Sequence, residues 1–391
     1  MIRVLQVLGS TTLGGAESRV MDLYRHMDRD RIQFDFLVTR GHTGHFDAEI
    51  ESLGGHVYTV MPYRIYNHKK YTDEVKAFFA QHNDYAAVHG HMTSTAAIYL
   101  PIAKAAGIPL TIAHARSAGV DSGIKGYLTN MLRKNLPGRC DRMIACSDLA
   151  AKAVFGEHSY SDGRVKVMPN AIETSDYRTD AGSRKQIRDR YGIGDRFVVG
   201  HTGRFHEAKN HRFLIDVFVE YLKFRDDAVL MIVGDGALRG SIEAYIEELD
   251  IKARAKGESI KDKIILAGSQ SPIAPYYQAF DALVFPSLYE GMPGTVVEAQ
   301  ASGLKCLVSD SVTRMVKTTD LVEFESLSRT AGQWAEKLNS IFGSLPVDSL
   351  WAERVQQNPI IQQIMKDSDY DVNEQIRYYT ELYEKGLDEN M

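Results

Sequence analysis

Short runs rich in Val, Ile and Leu alternate with helix-length segments along nearly the whole chain, and this alternation limits the fold more than any other feature. The first series runs Val4–Leu8, Phe34–Val38, Val57–Val60, Ala86–His89, Leu110–Ala113, Met143–Ala145 and Val165–Met168. Val20, Leu23, Tyr24 and Met27 in the first intervening segment form the i, i+3, i+4, i+7 stripe of a helix with one buried face. Near-continuous apolar strands joined by helices require a parallel sheet covered on both sides. The pattern restarts after residue 180 with strands predicted at Phe197–His201, Val229–Val233, Ile264–Ala267, Ala282–Pro286 and Cys306–Ser309, and with helices at His211–Phe224 and Leu238–Leu249. The polar stretch Pro169–Gly182 separates the two series and reads as a linker.

The expected fold is therefore α/β, with two doubly wound Rossmann-like domains facing a cleft, because the carboxyl ends of both sheets offer ligand sites. The domains are placed at 1–175 and 176–370. The remaining 371–391 forms a helix whose stripe Val372, Ile376, Tyr379 and Leu382 or Tyr383 packs back on the first domain, the alternative being a helix that caps the second. A length of 391 residues suits two domains.

Composition removes several function classes. An apolar content of 44% excludes a disordered chain, and a net charge of −5 argues against a surface that binds nucleic acid. Residues 1–178 carry 21 Lys+Arg against 18 Asp+Glu, the rest 25 against 33, and ten of the 13 His fall in the first part. That asymmetry fits an anionic acceptor or a membrane surface on one side, and ordinary drift in surface charge fits it equally. Cys140, Cys146 and Cys306 make neither a disulfide framework nor a paired zinc motif, which fits a reducing cytoplasm. The opening Met1–Gln6 reads as a strand and not as a signal peptide, and no run approaches the length of a membrane span.

The strongest chemical signal is Pro286-Ser-Leu-Tyr-Glu-Gly-Met-Pro-Gly-Thr-Val-Val-Glu-Ala299. It leaves a buried strand, turns through Glu290, Gly291, Met292, Pro293 and Gly294, and starts a helix near Gly294 or Thr295. Glu298 then lies near the start of that helix. Free N–H groups and the helix dipole at such a turn favour an anion such as a diphosphate. Carboxylates beside it suit neutral hydroxyls, those of a ribose for Glu298 and of a hexose for Glu290. Arg204 and Lys209 follow another strand and flank a turn, where two cations can neutralise a diphosphate leaving group. In the first domain Gly14 and Gly15 follow strand one and open a helix, without the Gly-x-Gly-x-x-Gly fingerprint. His114 ends a strand. His89 and His91 end another and read as ordinary polar residues, and a His89/His91/His114 metal site would lack a carboxylate. Asp28-Arg29-Asp30 and Asp367-Ser368-Asp369 follow no apolar strand and read as solvated.

The stretch through Glu290 and Glu298 resembles the paired-glutamate motif of family-4 retaining glycosyltransferases, which have the two-domain GT-B fold. Gly200–Asn210 resembles the family's donor-diphosphate clamp, Val233–Gly236 its next strand-end loop, Ala267–Gln270 the loop whose backbone meets the nucleotide base, and Val167–Ile172 its linker strand, with Ala171 in place of the usual Gly. The resemblance implies an acceptor-side first domain and a nucleotide-sugar-binding second domain. It further implies that Gly14 and Gly15 approach the donor phosphate and acceptor, and that His114 lies near the transferred sugar.

The expected activity is a retaining transfer of a hexose or N-acetylhexosamine from a nucleoside diphosphate sugar, expected to be a UDP-sugar, to a glycan or lipid-linked acceptor in polysaccharide biosynthesis. Arg204, Lys209, Glu290 and His114 are the expected catalytic groups. The substrate contacts come from Gly14, Gly15, Gln270, Gly291–Thr295 and Glu298. The cations take the place of a metal, so no cofactor is expected. Basic and aromatic residues cluster at Tyr63–Tyr71 and Lys125–Arg139, where a cytoplasmic enzyme would touch the inner membrane face, or where an amphipathic helix is simply solvated. A sugar-nucleotide epimerase of similar fold and a non-catalytic nucleotide-sugar-binding module are the alternatives.

Overall fold

The computed structural model describes residues 1–39, 44–117, 119, 123–255 and 257–388, and the side chains of 123–125, 128, 387 and 388 lie outside that description. Lys125 and Leu128 of the basic cluster are among the latter. The chain forms two compact units, residues 1–172 with 369–391, and residues 173–368.

The first unit holds a seven-stranded sheet. Its strands are β1 (Ile2–Val7), β2 (Ile32–Thr39), β3 (Val57–Val60), β4 (Ala87–Gly90), β5 (Leu110–Ala115), β6 (Arg142–Ala145) and β7 (Val165–Val167), in the spatial order 3-2-1-4-5-6-7. All pairs are parallel: Val4 faces Phe34 on one side and Ala87 on the other. The order reverses between β1 and β4, the place where an open parallel sheet leaves a crevice at its carboxyl edge.

The second unit repeats the plan with β8 (Val198–Thr202), β9 (Val229–Val233), β10 (Ile264–Gly268), β11 (Ala282–Phe285), β12 (Cys306–Ser309) and β13 (Val322–Glu325), ordered 10-9-8-11-12-13. Its switch point lies between β8 and β11. β13 is absent from the sequence reading. It is an edge strand in which buried Val322 is followed by exposed Glu323, a four-residue alternation without a continuous apolar run.

The last helix, Val372–Asp388, belongs to the first unit, as the stripe predicts. Val372, Tyr379 and Tyr383 are core residues there, with Ile376 and Leu382 partly buried, and the Tyr383 ring meets Phe34 edge-on at 6.1 Å. The outgoing and returning segments are joined where Ile172 N–H donates to Tyr370 O at 2.9 Å and Val372 N–H donates to Ile172 O at 3.0 Å.

In the second unit three guanidinium groups hold the end of the short helix Ala274–Ala279. Arg184 donates to Gln278 O (2.8 Å), Arg188 to Ala279 O (2.8 Å), and Arg354 to Phe280 O (2.9 Å) and Tyr277 O (3.0 Å). These carbonyls are the ones a helix leaves unpaired at its C-terminus. Burial, with Arg184 nearby, pulls the Arg354 pKa down to about 9. Asp281 balances the cluster, bonding Arg184 at 2.6 Å, Arg188 at 3.3 Å and the Val198 N–H at 2.8 Å. Asp281→Ala strands buried cations and is expected to cost about 3–5 kcal/mol in denaturant unfolding; a loss under about 1 kcal/mol contradicts this account.

Candidate active site

β8 ends at Thr202, and the loops beyond β8, β9 and β10 are tied together. Gly203 N–H donates to Val233 O (3.0 Å), Gly234 N–H to Gly268 O (2.9 Å) and Phe205 N–H to Asp235 O (2.9 Å). Gly234 has φ +145°, and a Cβ there would lie 2.0 Å from the Gly203 carbonyl oxygen, so only glycine fits. Arg204 leaves this junction exposed and without an ion pair among the described residues. Lys209 closes a single turn, Glu207–Lys209, after which Asn210 in the left-handed region (φ +55°) starts the helix His211–Tyr221. The Lys209 stem runs over Gly203, whose absent Cβ would lie 3.2 Å from its Cδ and Cε.

β11 delivers the partner. Leu288 N–H donates to Ala208 O at 2.7 Å, and Asn210 Nδ2 donates to Pro286 O at 3.2 Å, which hold the two loops side by side. Lys209 Nζ thereby reaches Glu290 Oε1 at 2.7 Å and lies 4.6 Å above the Phe285 ring. The helix Gly294–Ala301 follows, with Pro293 at its N-cap and no side-chain cap. An uncapped helix start of this kind is one that suits an anion. Glu298 is 7% exposed. Its Oε1 folds back toward Gly294, where a Cβ would lie 3.5 Å away, and its Oε2 accepts from the Tyr277 hydroxyl at 2.7 Å. The Tyr277 oxygen in turn accepts from Thr202 Oγ1 at 2.8 Å, and Thr202 Oγ1 lies 3.1 Å from Thr295 Oγ1. Burial and the Glu298 charge raise the Tyr277 pKa well above its ordinary value, so it stays a donor.

The structure therefore brings Arg204, Lys209, Glu290, Gly291–Thr295 and Glu298 to the carboxyl edge of the β8/β11 switch point. Gln270 lies two residues past β10, with its amide donating back to Ala267 O at 2.6 Å. Tyr277 and Thr202 complete the Glu298 network. Sequence reasoning missed both, because Tyr277 sits on a six-residue helix at no regular spacing from Glu298.

In the first unit Gly14 is the extended N-cap of the helix Gly15–His26, again without a side-chain cap, and a Cβ at Gly15 would meet nothing within 4 Å. His114 does not end its strand. β5 continues through Ala115, and the ring is 0% exposed among His89 and His91. One ligand-capable atom from each of these rings lies within 4.8 Å of the other two. Burial holds all three rings well below the ordinary histidine pKa, with Arg116 adding to it.

Arg133 of the basic cluster is buried, its guanidinium bonded to Thr93 Oγ1 at 3.0 and 3.2 Å, so it does not face solvent as the sequence reading expected. Tyr66 (89% exposed) and Tyr127 (72%) do. Asp28, Asp30, Asp367 and Asp369 are exposed, in line with solvated groups. No helix among the described residues is long and apolar enough to cross a membrane.

Comparison with known proteins follows the same division. The family described as Glycosyltransferase Family 4 matches residues 13–176, and that described as Glycosyl transferases group 1 matches residues 196–342. The putative glycosyltransferase EpsF of Bacillus subtilis is 34% identical over 342 residues, covering 86% of each chain. The UDP-Gal:alpha-D-GlcNAc-diphosphoundecaprenol alpha-1,3-galactosyltransferase of Escherichia coli is 26% identical over 58% of each chain. The crystal structure of Anabaena Alr3699/HepE in complex with UDP-glucose superimposes with a TM-score of 0.75 at 19% identity, covering 97% of this chain and 99% of that one.

His89, His91, His114 and His201 are held well below the ordinary pKa of 6.5, and burial brings His211 down to about 4. Unfolding releases these rings to their ordinary value, so the unfolded state binds more protons between pH 4 and 6.5. Stability is fully present above pH 6.5 and falls as pH drops, because unfolding then takes up protons at these rings. Melting temperature against pH reads this directly, and a flat profile from pH 6.5 to 4.5 contradicts it.

Proposed function

We infer the reaction from one premise: the chain belongs to the glycosyltransferases of group 1 and family 4, and it is a sugar-transferring enzyme of the GT-B fold. The donor is a nucleoside diphosphate sugar, with UDP as the nucleotide. The second unit binds it, and the first unit serves the acceptor. The diphosphate lies at the amino end of the Gly294–Ala301 helix, with Arg204 and Lys209 as its counter-charges. Glu298 takes the ribose hydroxyls, oriented by Tyr277. The loop backbone near Gln270 meets the base. Glu290, with Gly291 to Gly294, grips the transferred sugar, while Gly14, Gly15 and His114 contribute from the first unit.

The observation that carries this reading is the gathering of two cations, two carboxylates and one uncapped helix start at a single sheet edge. Diphosphate departure is the costly step, and fixed cations at the developing negative charge lower it without a metal. Lys209 is already held by Glu290 at 2.7 Å, so it meets the leaving group with little reorganisation. The acceptor hydroxyl attacks the anomeric carbon from the face the leaving group vacates. The bond from that carbon to the phosphate oxygen breaks, and the departing phosphate takes the hydroxyl proton. Configuration is retained. The acceptor is a glycan or lipid-linked saccharide of polysaccharide synthesis. This parallels the diphosphoundecaprenol named for the Escherichia coli relative. Exposed Tyr66, Tyr127 and Met131 offer peripheral contact with an anionic membrane.

Glu290→Gln is expected to lower kcat by about 100-fold or more, with UDP affinity within about threefold of wild type. Near-normal turnover refutes the role. Proton NMR of the product formed from an α-linked donor should give an α-linked product, and a β-linked product overturns retention.

A further inference from the structure

The histidine cluster of the first unit lies at that sheet's own switch point, with Gln6 on β1, His89 on β4, His114 on β5 and Tyr379 and Tyr383 on the last helix. The direction of its hydrogen bonds follows from the groups that can only donate or that have a single acceptor in reach. Arg116 Nε can only donate, and it reaches His91 Nδ1 at 3.2 Å. His91 therefore carries its proton on Nε2 and donates to Gln6 Oε1 at 2.9 Å. That leaves the Gln6 amide with its N–H end free. That nitrogen is buried and has no hydrogen-bond partner among the described residues. The Tyr383 hydroxyl, wholly buried, lies 2.7 Å from His89 Nδ1. Among the described residues that nitrogen is the one hydrogen-bond partner of the phenol, so the phenol places its hydrogen on His89. His89 must then hold its own proton on Nε2, which donates to His114 Nδ1 at 3.0 Å. The Tyr379 hydroxyl approaches the same His114 nitrogen at 3.4 Å, a second donor at an acceptor position. His114 is left with its proton on Nε2, and that atom is buried without a hydrogen-bond partner.

We propose that Tyr383 is a positioning residue: through His89 it locks His114 as the Nε2–H tautomer, an N–H donor kept for an oxygen of the transferred sugar. The inference rests on the assignment of His114 to the sugar and specifies its chemistry. A buried N–H without an acceptor is costly, and a ligand oxygen relieves that cost. A ring locked neutral adds no positive charge near an anomeric carbon that itself becomes positive. The other tautomer would offer a lone pair and would bind only a hydroxyl hydrogen. The same bond directions speak against a metal on the three rings, because both nitrogens of His89 and of His91 are engaged and the Arg116 cation adjoins them.

The test is nitrogen-15 NMR of the full chain labelled at histidine, which reads each ring's tautomer, together with kinetics. In the wild type without ligand, His114 should be the Nε2–H form, and an Nδ1–H form overturns the proposal. Tyr383→Phe keeps the packed ring and removes the hydroxyl. His114 should then populate both tautomers and kcat should fall about tenfold, with the KM for UDP-glucose changed less than about twofold. Tyr379→Phe, at the longer contact, should leave the His114 tautomer fixed. An unchanged tautomer in Tyr383→Phe, or a mixed tautomer at unchanged kcat, overturns the positioning role. Zn²⁺ binding that shifts all three rings overturns it as well. Saturation with UDP-glucose tests the underlying assignment separately. It should move the His114 Nε2 resonance, and a resonance that stays put removes His114 from the sugar while the ligand-free tautomer still decides the relay.

Discussion

The carbonyl of Gly203 passes so close to Gly234 that a Cβ there would lie 2.0 Å from its oxygen. The chemical groups of the second unit depend on that close approach. It closes the loops past β8 and β9 against each other, sets Arg204 at the edge, and leaves the Lys209 stem to run over a glycine. The β11 loop is pinned to the same place through Leu288 and Asn210, so Lys209 and Glu290 meet as an ion pair. A cation held in this way needs no search for an anion, which is what electrostatic preorganisation requires and what the proposed role of Lys209 draws on.

Groups close in sequence were the legible ones. Glu290 and Glu298 leave one strand and enter one helix, so the chain itself carries them to one sheet edge, and Arg204 and Lys209 follow a strand end in the same way. The two sheets were legible because buried parallel strands have a composition of their own. Partners brought together by folding were not. Tyr277 finds Glu298 because three arginines fix the end of its short helix, and Arg354 and Asp281 are linked only through that packing. Arg133 reads as one more surface charge until Thr93 is seen against it. β13 is hidden because an edge strand needs only one apolar side.

The two units use one architectural rule for different chemistry. At the β8/β11 switch point the groups are charged and an uncapped helix faces them. At the β1/β4 switch point they are neutral imidazoles, phenols and an amide, with Arg116 as the fixed cation. The last helix belongs to that second set. It supplies Tyr379 and Tyr383 to the core and to the histidines at once, so its return to the first unit contributes both to stability and to the order of the histidine cluster.

In the proposed site a nucleoside diphosphate lies against the start of the Gly294–Ala301 helix with Arg204 and Lys209 around it. The most direct measurement is a crystal structure with UDP. The β-phosphate is expected within hydrogen-bond distance of the first amides of that helix and of both cations, with the ribose on Glu298. A nucleotide bound elsewhere on the chain, or a phosphate turned away from Arg204 and Lys209, would contradict it.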